Sequence, residues 1–161
     1  MNNRIILTLL SIFTLAVSVC GGEPVKITLQ KGDHVAIIGG GLADRLQHDG
    51  WLETLIQKAY PQHELFIRNL AFSGDEVVVR LRTDTGATRE EWLANIKTDV
   101  IFAFYGFNES FAGKAGLEKF KQELDAFLKE KLKANYSGKG APKLVLFSPT
   151  AHEKINDPNQ P

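Results

Sequence analysis

Read only for apolar and polar positions, the chain alternates between two kinds of segment. Four short runs are almost wholly apolar: "HVAIIG" (34–39), "ELFIRNLAF" (64–72), "DVIFAFYG" (99–106) and "KLVLFSPT" (143–150). Runs of this length and composition read as strands buried on both faces. Between them, apolar residues recur every three or four positions, as on one face of a helix. From 42 to 60 that face carries Leu52, Leu55, Ile56 and Ala59, with Gly50 dividing or kinking the segment. Thr88 precedes Glu91 by three positions, a capping-box spacing that opens a short helix. Leu117, Phe120, Leu124, Phe127, Leu128 and Leu132 form one stripe of a longer amphipathic helix, with Lys and Glu opposite. The segment "SGDEVVVRLRTDTGA" (73–87) is a long connection containing turn residues.

Apolar strands separated by helices predict an α/β fold: a three-layer α/β/α sandwich around a parallel, doubly wound sheet of the flavodoxin kind. Four strands are present. The last residues, "AHEKINDPNQP", are polar and carry two prolines, so they offer no fifth. The run "LVLF" in the fourth strand then lies at an apolar sheet edge, and self-association through that edge is expected. In such sheets ligands bind beyond the C-terminal ends of the strands. Four stretches occupy those ends: "GGGLADR", "NLAFSGDE", "YGFNES" and "SPTAHE".

The N-terminus has a different character. Arg4 precedes an apolar run from Ile5 to Val17, and Ala16 and Ser18 form a small-x-small pattern. This is the layout of a secretory signal peptide, with cleavage after Ser18 or close to it. The run is too short for a membrane span. Cys20 offers a lipoprotein anchor, although Val19 stands before it where a small residue belongs. The expected organisation is a signal peptide at 1–20, a linker at 21–30, one incomplete domain at 31–150 and a polar tail at 151–161. The expected location is extracytoplasmic. Cys20 is the single cysteine, which excludes an internal disulfide and a cysteine metal site. The 161 residues carry 19 basic and 19 acidic side chains, so nothing points to nucleic acid. No cofactor, metal or mature membrane span is expected.

The three glycines at 39–41 raise two chemistries. A dinucleotide loop requires G-x-G-x-x-G, but Asp44 stands at the third glycine, and the strand that should end in a ribose-binding acid ends near Asn69. No P-loop motif occurs. The other chemistry rests on three strand ends together. In order, "IIGGGLADR", "NLAFSGDE" and "YGFNES" resemble the first three blocks of the GDSL/SGNH hydrolase (esterase/lipase) family. More narrowly, the chain is similar to SGNH-like N-terminal domains of large exported proteins of Planctomycetes-type bacteria, some of which carry haem-binding modules further along.

The resemblance covers roughly residues 31 to 150 and implies site roles position by position. Gly39 matches the glycine of the first block, Gly40 stands at its aspartate, and Gly41 stands at its nucleophilic serine. Gly74 matches the oxyanion-hole glycine of the second block. Gly106 and Asn108 match the third block, where Asn108 completes the oxyanion hole and Glu109 replaces an aspartate. The family's last block, Asp-x-x-His, has no counterpart: Asp157 is followed three positions on by Gln160. Ester hydrolysis by this route needs a hydroxyl, a base and oxyanion donors. The expectation is therefore an ester hydrolase domain for acylated carbohydrates or similar esters, inactive or very weak, with glycine at the nucleophile position. The alternative is a non-catalytic module that binds carbohydrate or serves a larger protein. Substrate-binding residues beyond these are not identified.

Plainer roles accompany these. Gly39–Gly41 permit a tight strand-to-helix turn, and Asn108 is a loop residue bonding its own backbone. Ser73 reads as a turn serine; its place beside Gly74 allows it to be considered as a substitute nucleophile, but the turn role is the expectation. His34, His48, His63 and His152 read as surface residues, and Asp75 and Glu76 as a solvated acidic pair. Phe102, Phe104 and Phe107 serve core and pocket wall.

Overall fold

A computed structural model describes residues 26–80 and 86–151. The signal-peptide residues, Cys20, His152, Asp157 and Gln160 lie outside the described residues. Four strands, β1 (His34–Gly39), β2 (Phe66–Asn69), β3 (Val100–Phe104) and β4 (Lys143–Phe147), form one parallel sheet in the order β2-β1-β3-β4. Each strand lies within an apolar run of the sequence. The second is shorter than its run and ends at Asn69.

The two central strands are buried along almost their whole length, and their alternation supplies both cores. Val35 and Ile37 of β1 face one side with Val100, Phe102 and Phe104 of β3. Ala36 and Ile38 face the other with Ile101 and Ala103. The first side is covered by α1 (Gly41–Asp49) and α2 (Trp51–Ala59), through Ala43, Leu46, Leu52 and Ile56. The second is covered by α3 (Arg89–Asn95) and α4 (Gly113–Lys131), through Leu93, Phe120, Leu124, Phe127 and Leu128. The expected three layers are therefore present. Among the described residues, no helix is long and apolar enough to cross a membrane.

Local signals set the helix limits. Gly50 ends α1 in the left-handed conformation (φ 64°), and α2 starts on the next residue. Thr88 caps α3 with the full reciprocal box: its hydroxyl accepts from Glu91 N–H, and the Glu91 carboxylate accepts from Thr88 N–H. The apolar stripe of α4 is buried only in its middle, and Leu117 and Leu132 are exposed. A 19-residue helix is about 28 Å long, but a five-residue strand spans only about 17 Å, so the helix ends overhang the sheet.

Several charged groups depart from the usual surface placement, among them Asp33, Asp75, Asp99 and Lys131. The Lys131 side chain is fully buried, lies over the Phe127 ring and donates to Glu90 at 2.5 Å and Glu130 at 2.8 Å. The Tyr136 hydroxyl also donates to Glu90. Burial alone would raise the Glu90 pKa, but the bonds from Lys131 and Tyr136 hold it below the ordinary glutamate value. This cluster ties α3 to the end of α4.

His34 and His63 differ from the surface reading. The His34 ring is half-buried, tilts on Phe66 and donates through Nδ1 to the Ile96 carbonyl at 2.5 Å. His63 packs edge-on against Tyr60.

Candidate functional site

In the order β2-β1-β3-β4, β1 connects outward to β2 while the chain later returns to place β3 on its other flank. The crevice between the ends of β1 and β3 is thus the switch point of the sheet, where a ligand has access between diverging loops. Gly39 pairs with Phe104 at that end. A narrow cleft opens there, lined by Gly40, Gly41, Asp75, Asn108, Phe147 and Pro149 among others.

The three glycines have three different environments. Gly39 has φ 138°, and a Cβ on it would lie 2.1 Å from the Phe104 carbonyl oxygen. Gly40 has an ordinary φ of −87°, but a Cβ there would lie 2.8 Å from the Asp75 carbonyl oxygen and 3.4 Å from Asn108 Nδ2. Backbone approaches backbone at both positions. Gly41 begins α1 and meets no such obstacle: the one neighbour of its absent Cβ is Ser73 Oγ, at 3.8 Å. An aspartate at 40 is excluded by the fold as it stands, whereas a serine at 41 is not.

The second turn reaches this place through backbone bonds from the segment after β2. Leu70 N–H donates to Ile37 O at 2.8 Å, and Phe72 N–H to Gly39 O at 3.1 Å. Asn69 fastens the end of β2 to α1: its Nδ2 donates to Ala43 O at 2.7 Å, and its Oδ1 accepts from Ala71 N–H at 2.9 Å. Asp75 N–H then closes a turn onto Phe72 O at 3.0 Å. Gly74 takes the third position of that turn with φ 92°, a conformation that favours glycine.

In the third turn, Asn108 Nδ2 points at the Asp75 carbonyl from 3.4 Å, a long contact. It therefore bonds a neighbouring loop rather than its own backbone. Glu109 has the firmer geometry. One of its oxygens accepts from Gly106 N–H and the other from Val77 N–H, both at 2.9 Å. The carboxylate clamps the third turn to the loop after β2 and so sets where Asn108 sits.

The sheet order thus gathers the turn after β1, the Ser73–Asp75 turn and Asn108 at one point. Two features were not legible beforehand. Asp44, one turn into α1, accepts from Ser73 Oγ at 2.7 Å and from Gln47 Nε2 at 2.6 Å. The Ser73 bond is the main reason its pKa lies below the ordinary aspartate value; slight burial opposes this, and Gln47 and His48 add to it. Asp75 is buried, not solvated, beside the buried Arg80 guanidinium at 3.8 Å. The pairing offsets its loss of water. Glu76 is half-buried, and burial followed by the charges of Glu109 and Glu123 raises its pKa, with Lys119 opposing.

Phe102 and Phe104 belong to the core, and Phe104 stacks on Phe147 with ring centroids 4.0 Å apart. Phe107 is partly exposed at the cleft mouth, edge-on to Phe111. The described histidines lie elsewhere: His34 starts β1, His48 sits in the last turn of α1, and His63 precedes β2. Asp75 and Asn108 line the small cleft, and Ser73 Oγ, bonded to Asp44, stands next to Gly41 of its wall. Among the described residues no group of three potential metal ligands occurs. No family model and no curated protein matches this chain.

Proposed function

We propose that this chain is an SGNH/GDSL-like ester hydrolase domain of an exported bacterial protein, receiving acylated carbohydrates or similar esters at the ends of β1, β2 and β3. The observation that carries this reading is the convergence of Gly41, the Gly74 turn and Asn108. Three short motifs, distant in the chain, lie close together beyond the ends of β1, β2 and β3, which supports a shared nucleophile position with oxyanion donors. Glycine at position 41 supplies no hydroxyl, so turnover of simple esters is weak or absent. That same feature favours the second reading, a non-catalytic module that holds the ester or its carbohydrate without cleaving it.

The test is amide NMR of the full chain titrated with p-nitrophenyl acetate and with a peracetylated monosaccharide. Shifts centred on the Gly41, Gly74 and Asn108 resonances are expected, with steady-state p-nitrophenol release, after any single stoichiometric turnover, little above buffer. Shifts confined to another surface, or none at all, would overturn the proposal. Release by Gly41→Ser that exceeds wild type separates a hydrolase lacking its hydroxyl from a pure binding module. The outer edge of β4, unpaired among the described residues and with Leu146 exposed, supports pairing with a second copy of the chain. A concentration-dependent mass in light scattering checks this.

A further inference from the structure

We infer that Ser73 supplies the nucleophilic hydroxyl of this site, with Asp44 as its proton acceptor, and that activated acyl and phosphonyl esters react covalently at Ser73 Oγ. The inference rests on the ester-hydrolase reading above but moves the reacting atom from the end of β1 to the end of β2.

The geometry of the pair comes first. The Ser73 hydroxyl donates to Asp44 Oδ2 at 2.7 Å. Its proton is thereby directed at a carboxylate, and the Oγ lone pairs are left to face a reagent. A nucleophile and a base within hydrogen-bond reach are the minimum for an activated hydroxyl. Gly41 makes the approach open. Because it lacks a Cβ, nothing from residue 41 stands against Oγ, and any side chain there would be in contact with it, starting from a Cβ 3.8 Å away. The space vacated at position 41 therefore adjoins a hydroxyl from the neighbouring turn. Ser73 is exposed, beside Gly41 of the cleft wall, so a reagent reaches it without opening the fold.

Donors are close in the chain. Gly74 N–H follows Ser73 directly, in a turn held by Asp75 N–H and Phe72 O. The first N–H groups of α1, starting at Gly41, have no partner within the helix. A carbonyl attacked by Ser73 would sit between the Ser73–Asp75 turn and Gly41, the first residue of α1, which adjoins Ser73 Oγ.

The chemistry balances without a further reactant. Oγ attacks the carbonyl carbon, the Oγ–C bond forms, and its proton passes to Asp44. The ester C–O bond then breaks, and the leaving alkoxide takes that proton from Asp44. Water later attacks the acyl-Ser73, releasing the acid and restoring the hydroxyl. With an alkyl fluorophosphonate the Oγ–P bond forms as P–F breaks, fluoride leaves, and Asp44 passes the proton to water. A carboxylate is a weaker base than an imidazole, so reagents with good leaving groups are the class that fits.

The experiment is labelling of the full chain with an ethoxy alkyl fluorophosphonate at pH 7, read by intact mass and peptide mapping. One adduct is expected, on Ser73, absent when the protein is first unfolded in urea. Ser73→Ala should lose it, and Asp44→Asn should slow it at least tenfold. A hydrogen bond that merely tied the turn to α1 would give no adduct on wild-type protein. An adduct mapped elsewhere, or one retained in Ser73→Ala, overturns the inference. So does absence of an adduct while p-nitrophenyl acetate still shifts Gly41, Gly74 and Asn108; the hydrolase reading then survives. Absence of both the adduct and the shifts overturns the two together.

Discussion

Two turns meet at the switch point and keep their shapes by opposite means. The turn after β1 is made by missing side chains: Gly39 and Gly40 let carbonyl groups of Phe104 and Asp75 come where a Cβ would stand. The turn after β3 is made by a side chain, since Glu109 reaches back and satisfies Gly106 N–H and Val77 N–H. The difference shows which glycines the fold requires. Two of the three are imposed by backbone contact, and Gly41 is not: the one neighbour of its absent Cβ is Ser73 Oγ, at van der Waals distance.

Substitutions that disturb one turn and spare the other sharpen this contrast. Gly39→Ala should have the largest effect. It combines a 2.1 Å clash against backbone with a φ of 138°, and a loss of about 4 kcal/mol or more is expected, near the whole stability of a marginal domain. Failure to see cooperative urea unfolding at low denaturant would be the signature, whereas a near-native midpoint would break the comparison. Glu109→Ala comes next. It leaves two part-buried N–H groups without acceptors, at about 1–3 kcal/mol each before water compensates, so about 2–4 kcal/mol in total is expected from the urea midpoint. Glu109→Gln should retain part of this, because one carbonyl oxygen remains to accept.

Gly40→Ala is expected to lose about 1–3 kcal/mol, since φ is ordinary and the Asp75 loop can yield to the 2.8 Å contact. Gly41→Ala should have the opposite sign. Alanine at the first position of α1 meets only Ser73 Oγ and restricts the unfolded chain, for a gain of about 0.5–1 kcal/mol. A loss there as large as at Gly40 would show that all three glycines are equally structural.

The smallest effect concerns charge around the Glu109 clamp. Burial and the neighbouring Glu109 and Glu123 carboxylates raise the Glu76 pKa in the folded state. A raised folded value means the native state holds its proton longer. Stability therefore falls as pH rises from the unfolded glutamate value, about 4.3, through the higher folded value. Glu76→Gln should show a slight rise in Tm at pH 7 that disappears near pH 3. An equal difference at both pH values would mean that the charges do not act on Glu76.

Much of the scaffold was legible in the residues. The central strands β1 and β3 are buried on both faces, so their apolar runs mark them without competition from any helical period. Gly50 and the Thr88–Glu91 box worked because caps are local, their partners lying within four positions. Gly41, Gly74 and Asn108 were legible as a set because each directly follows a strand run, and the sheet brings such ends together. The ends of the α4 stripe misled because periodicity states which face is apolar but not how far the sheet beneath it extends.

Other features had no local signature. Asp75 looks solvated beside Glu76, and only the fold places it against Arg80. Ser73 and Asp44 are 29 positions apart, and Glu109 and Val77 are 32. No period or cap links residues at such distances. The chain alone determined four strands, the helices between them and the strand ends, because burial and capping act over a few neighbouring residues. That only β1 and β3 are buried on both faces, with β2 and β4 partly exposed at the edges, was set by the sheet order. Only the tertiary structure decided that a hydroxyl from one turn stands beside the empty position of another. That contact depends on β2 and β3 flanking β1, an arrangement set by packing the two faces of the sheet as a whole.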